Sequence, residues 1–215
     1  MKRPTRSDSG AVAVEAALMM PLITLLFLGI VEFGLLMRDA ITTTSASRVG
    51  ARTAAAHSRE PTYVNLAIAR VKESVDILGS TEVLVAIYKA DSNGFPSGAT
   101  TDSQIWTNCS TDCVQYSIVN GTITRIGGTE WPANASGPGA ATTYQDACFD
   151  PGQTPIKLPE KVGVAVRTRH RLIAGGLFFF LDNTPTGTGH HYLTTKTAFR
   201  LEPKTQGATG TCSGP

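Results

Sequence analysis

Gly10-Ala-Val-Ala-Val-Glu15-Ala-Ala-Leu-Met-Met-Pro21-Leu-Ile-Thr-Leu-Leu-Phe-Leu-Gly-Ile30-Val31 is a mostly apolar run in which Glu15 is the only charge. At about 1.5 Å per residue, the stretch from Ala11 to Val31 is long enough to cross a hydrocarbon core about 30 Å thick. An ionised carboxylate in lipid is costly, so Glu15 marks a position with a use. On one side of the run lies a short leader in which Lys2, Arg3 and Arg6 stand against Asp8. On the other side Glu32, Arg38 and Asp39 nearly balance. The basic flank is expected to stay in the cytoplasm, with everything beyond about Met37 outside. Pro21 removes one backbone donor and is expected to kink or loosen the helix.

Two plainer readings of this run differ in their consequences. A cleavable secretory signal has an apolar region of about 7–15 residues ending in small residues at the cut. This run is longer, and the nearest Ala-x-Ala, Ala54-Ala55-Ala56, lies far beyond its end. A simple single-span anchor would leave Glu15 to snorkel to the interface, with no further role.

The chain has 215 residues and a net charge of +2. Leader and span leave about 178 residues, enough for one modest domain. The balanced charge gives no reason to expect nucleic acid as a partner. Beyond the span the composition is rich in Gly, Thr, Ser and Asn, which suits a β-rich extracytoplasmic domain with long loops. Cys109, Cys113, Cys148 and Cys212 all fall there. An even count in an oxidising compartment favours two disulfides, with three pairings open. The Cys109-x-x-x-Cys113 spacing is loose for a metal site, and no His lies near Cys148 or Cys212.

Helical signals continue past the membrane. From Asp39 to Ser58 there is no Pro, and small residues recur four apart in two rows: Thr43, Ser47, Ala51 and Ala55, then Ala46, Gly50 and Ala54. One helix from Ala11 to about Ser58 is expected. Its small-residue rows suit either close packing on the protein's own sheet or approach of another helix. Pro61 fits the first turn of a second helix, and Val64, Ala67, Ile68, Val71, Val75 and Leu78 recur at helical spacing up to Gly79. Strands are expected over 82–88, 113–119, 122–126, 162–173 and 192–201. Asn120-Gly121 between two β-prone runs signals a hairpin. Loops are expected over 91–107 and 127–159. The fold class is therefore α+β: a long N-terminal transmembrane helix followed by an extracytoplasmic domain with an antiparallel sheet of four or five strands. The divisions are a leader at 1–10, a transmembrane helix at 11–37, a helical stalk and second helix at 38–80, and a β-rich disulfide-bearing domain at 81–215.

No catalytic constellation stands out, and no cofactor is implied. His190-His191 falls in a Gly/Thr-rich stretch that reads as a solvated loop rather than a metal site. Arg167, Arg169 and Arg171 alternate on one strand face with His170 opposite; a solvated face is the plain reading, and contact with an acidic partner or lipid headgroups the sharper one. Leu177-Phe-Phe-Phe-Leu181 reads as a buried turn or a peripheral apolar contact. Gly175-Gly176 lacks the Lys-Ser/Thr of a phosphate loop. Asn134-Ala-Ser136 matches a glycosylation sequon.

Three segments together resemble a known family. Gly10-Ala-Val-Ala-Val-Glu15-Ala-Ala-Leu-Met-Met-Pro21, then Gly29-Ile-Val-Glu32-Phe-Gly34, then Ser47-Arg48-Val-Gly50-Ala51-Arg52-Thr-Ala-Ala are similar to the TadE family of tight-adherence pilus proteins. Arg200-Leu-Glu202-Pro203 is also similar to the way many members finish. The resemblance covers about residues 9–57 and, weakly, 192–203; the middle of the chain, with all four cysteines, is not covered. It implies a pseudopilin or minor pilin of a type IV-like system, not an enzyme but the substrate of a prepilin peptidase cutting between Gly10 and Ala11. Glu15 would then be the fifth residue of the mature chain, where the family's carboxylate meets the free amine of a neighbouring subunit. Pairing compensates a desolvated charge and sets register. The implied partners are the peptidase, other pilins or pseudopilins, the assembly platform and membrane lipid. The implied location is the inner membrane, single-pass, with the N-terminus cytoplasmic. The alternative is a membrane-anchored adhesin or tip subunit, with the middle of the chain, Trp106, Trp131 and the disulfides forming a ligand surface.

Overall fold

The computed structural model describes residues 9–58, 60, 62–78, 82–131, 161–173 and 190–201. Helix α1 runs unbroken from Ser9 to Ala56, with Pro21 inside it. Helix α2 spans Tyr63–Val75 and ends in a 3-10 turn at Asp76–Leu78. Among the described residues five strands follow: β1 (Val83–Ala90), β2 (Cys113–Val119), β3 (Thr122–Thr129), β4 (Lys161–Arg171) and β5 (His190–Arg200). A short helix α3, Gln104–Thr107, interrupts the loop between β1 and β2.

The strands form one sheet in the order β3-β2-β1-β4-β5, every neighbour antiparallel. This is the expected α+β architecture. The Asn120-Gly121 turn has positive φ at both residues, 49° and 75°, as the mirror-image hairpin turn requires. The expected loop over 127–159 begins later in the structure. Gly127 and Gly128 belong to β3 rather than to a loop, carried into the sheet past an irregularity opposite Gln115 and Tyr116. The rest of the expected 127–159 loop, apart from Thr129–Trp131, lies outside the described residues, as do most of the leader, Pro61, Gly79, Gly175-Gly176 and Leu177–Leu181.

Two layers cover the sheet. On the inner face, Val83, Val85, Ile87, Val114, Tyr116, Ile118, Val162, Val164 and Val166 pack against Ala46, Ala51 and Ala54 of α1 and Val64, Ala67, Ile68 and Val71 of α2. Period-two alternation along the strands and helical periodicity along α2 supply these matching faces. The outer face carries a smaller cluster of Ala86, Tyr88, Ala90, Ile105, Cys113 and Ala165 under the β1–β2 loop. Asp91 starts that loop, its Oδ1 accepting from the backbone N–H of Asn93 and Phe95.

The small-residue rows of α1 are spent within the chain. Thr43, Ala46, Ser47, Gly50, Ala51, Ala54 and Ala55 are all buried. A Cβ at Gly50 would lie 2.5 Å from Val71 Cγ2 and 3.2 Å from Val164 Cγ1, so this position lets α2 and β4 approach the helix backbone. Residues 10–27, in contrast, are exposed throughout.

Candidate functional site

Where α1 leaves its apolar segment, a polar seam joins it to the sheet. Glu32, Asp39, Thr43 and Ser47 stand two turns, then one turn, then one turn apart, which sets them on one helix face. Opposite them are Thr168 and His170 of β4 with Thr195 and Thr197 of β5, whose register places all four on the inner face. The strand positions before them are Val162, Val164 and Val166, so the face turns from apolar to polar toward the end of β4.

The centre of the seam is a carboxylate–imidazole–carboxylate cluster. Glu32 is 1% exposed and His170 7%. The side chain of Asp39 is 14% exposed. His170 Nε2 lies 3.2 Å from Glu32 Oε1, and its Nδ1 lies 2.7 Å from Asp39 Oδ2. Glu32 Oε2 accepts from the backbone N–H of Ile173 at 2.9 Å. A neutral imidazole donates from one nitrogen only, so the two contacts are both satisfied by an imidazolium or by one protonated carboxyl. Either way the cluster links two segments far apart in sequence, one on α1 and one on β4.

Hydroxyl pairs extend the seam. Thr43 Oγ1 donates to the Asp39 carbonyl at 2.7 Å, so its 3.0 Å contact with Thr168 Oγ1 is accepted from Thr168. Ser47 Oγ donates to the Thr44 carbonyl, which makes Thr197 the donor across the 2.9 Å Ser47–Thr197 contact. Thr195 Oγ1 donates to the Thr43 carbonyl at 3.1 Å. The arrangement works as a joint: buried polar partners fix the rotation and height of α1 on the sheet, which apolar packing alone leaves less determined.

Among the described residues, no group of three or more His, Cys, Asp or Glu side chains is placed to hold a metal ion. Glu32 and Asp39 meet different ring nitrogens of His170, so they do not converge on one point.

The residues singled out in the sequence fall as follows. Gly10, Ala11 and Glu15 lie in the first turns of α1, exposed and distant from the domain. Cys109 and Cys113 form a disulfide with Cα atoms 5.1 Å apart. It ties the end of the β1–β2 loop to the first residue of β2. Cys148, Cys212 and the Asn134–Ser136 sequon lie outside the described residues. Arg167, Arg169 and Arg171 share the outer face, with His170 on the inner one, as their alternation implies. Arg167 stacks over the Tyr192 ring at 4.0 Å, and Arg169 Nη2 is 3.3 Å from His190 Nδ1. His190 and His191 open strand β5, paired with Arg171 and His170, and are not in a loop. Trp131 is buried, with its carbonyl accepting from Tyr63 Oη; Trp106 packs beside the outer cluster.

Sequence alone does not bring Glu32, His170 and Asp39 together. The cluster's visible trace is the seven-residue spacing of two acids just after an apolar helix, together with a histidine on the apolar side of an alternating strand. Nothing local pairs residues 131 and 138 positions apart. The cluster's helical half falls inside the segment that matches a known family: residues 10–52 match the family described as TadE-like protein. That bears out the resemblance over α1. No curated protein and no solved structure matches the chain.

Proposed function

We propose that this chain is a pseudopilin or minor pilin serving the assembly or function of a tad-type, type IV-like pilus in adhesion or secretion. The observation that carries the reading is the match over residues 10–52, whose first part is a largely exposed apolar stretch of helix, Ala11 to Val31, interrupted by Glu15 alone. The helix from Gly10 to Ala56 is long and apolar enough to cross a membrane, and its apolar part is unburied. On this reading the leader stays cytoplasmic, the span crosses the inner membrane once, and the sheet domain lies outside. A prepilin peptidase removes residues 1–10, leaving Ala11 as the new amine. Glu15 then pairs with the corresponding amine of a neighbouring pilin-like subunit, which neutralises a charge that lipid penalises. The role is structural rather than catalytic, and its further partners are the assembly platform and membrane lipid.

The test is N-terminal sequencing of the protein from cells with and without the peptidase. The expected start is Ala11 with active peptidase, and Met1 throughout would overturn the reading. Glu15→Ala is expected to insert normally and to abolish pili; normal piliation in that variant removes the pairing role.

A further inference from the structure

The base of the sheet domain presents a built surface at the depth where α1 would leave the bilayer. The 21 residues from Ala11 to Val31 rise about 31 Å, close to the thickness of a hydrocarbon core. Glu32 therefore stands at the edge of the apolar layer, and its Oε2 accepts from the Ile173 N–H at 2.9 Å. That bond sets the end of β4 at the same depth. Leu172 turns inward and is buried, whereas Ile173 is 63% exposed. An apolar side chain held at an interface and facing away from the core fits a wet surface poorly and a lipid surface well.

The charges beside it have the matching sign. Arg171 is exposed two residues before Ile173, and Arg169 follows on the same outer face with His190 paired across from Arg171. A two-residue step along a strand climbs about 6.6 Å. The headgroup layer on one side of a bilayer is about 5–7 Å thick. Arg171 thus reaches phosphate depth when Ile173 rests at the acyl boundary, and Arg169 stands just above. Arg38 lies at a comparable height on α1, six residues beyond Glu32, its Nη2 donating to the Ile77 carbonyl.

We propose that this base, centred on Ile173 with Arg171 and Arg169, is a second membrane contact, seated in the headgroup layer around α1 and binding anionic lipid phosphate. The proposal rests on α1 being membrane-inserted. The Glu32–His170–Asp39 joint gives the contact its geometry: it holds the domain upright at a fixed height instead of letting it swing on the helix. The partner is bilayer lipid, recognised by an apolar wedge ringed with guanidinium groups.

The experiment uses the full chain in vesicles of phosphatidylcholine, or of phosphatidylcholine with phosphatidylglycerol, carrying lipids brominated at the upper acyl positions to probe the base, or near the acyl chain ends to probe the span. Three single variants are compared with the parent, whose tryptophan signal is subtracted: Leu22→Trp in the span, Ile173→Trp at the base, and Asn93→Trp at the opposite end of the sheet. The expected result is blue-shifted, quenched emission from Leu22→Trp and Ile173→Trp, with none from Asn93→Trp. Adding Arg171→Glu to Ile173→Trp is expected to weaken quenching in the phosphatidylglycerol vesicles. Quenching at Leu22 with Ile173→Trp behaving like Asn93→Trp overturns the second contact and leaves the anchor standing. Absence of quenching at Leu22→Trp refutes insertion, and the contact with it. Quenching at Ile173 indifferent to both lipid charge and Arg171→Glu refutes the phosphate role of the arginines.

Discussion

Replacing His170 with leucine tests the joint most directly, because volume is nearly kept and only the polar partner is lost. Glu32 would retain the Ile173 N–H but lose its imidazole contact while 1% exposed. Asp39 would lose its 2.7 Å partner but, with its side chain 14% exposed, would recover part of its hydration. Removing one member of a buried charged group costs roughly 3–5 kcal/mol. The partial exposure of Asp39 places His170→Leu at the lower end, about 3 kcal/mol. That is a large share of the roughly 5–15 kcal/mol that holds a domain together. Glu32→Gln is the control. Its amide can donate to His170 Nε2 while its carbonyl accepts from Ile173, leaving Nδ1–H for Asp39, so its cost should stay below about 1 kcal/mol. The assay is urea unfolding of the full chain in detergent, followed by tryptophan emission, with hydrogen exchange at the Ile173 amide as the local readout. His170→Leu should lower stability by the stated amount and speed exchange at Ile173, and Glu32→Gln should do little of either. A His170→Leu protein within about 1 kcal/mol of the parent and with Ile173 still protected would refute the reasoning.

Gly50→Ala forces a methyl group against Val71 and Val164, with an expected loss of about 1–3 kcal/mol and a melting point several degrees lower by calorimetry. Gly121→Ala has room, its nearest neighbour being Lys72 Cε at 3.6 Å, so its cost is the left-handed backbone alone, about 1–2 kcal/mol in the same measurement. Non-reducing peptide mapping of the sheet domain should return Cys109 joined to Cys113. A mixture of pairings would contradict this.

Much of the fold is legible because it is written in local periodicity. The apolar run and the unbroken helical pattern after it yield α1 almost to the residue, and Asn120-Gly121 yields the β2–β3 hairpin, since both depend on neighbours in sequence. The Arg167/His170 alternation likewise settles which side of β4 each residue takes. The boundary errors have local causes of another kind. Gly127 and Gly128 look like loop residues but are drawn into the sheet by pairing with Gln115 and Val114, and His190-His191 are drawn out of an apparent loop by pairing with β4.

What the chain's own order of residues determined was the membrane-length helix, the lone acid in its apolar run from Ala11 to Val31 and the α+β class, because 3.6- and two-residue periods are properties of a segment. Only the tertiary structure decided that the small residues of α1 face inward and that Glu32 and Asp39 close on His170. Those outcomes depend on strand order and register, which bring together side chains more than a hundred residues apart.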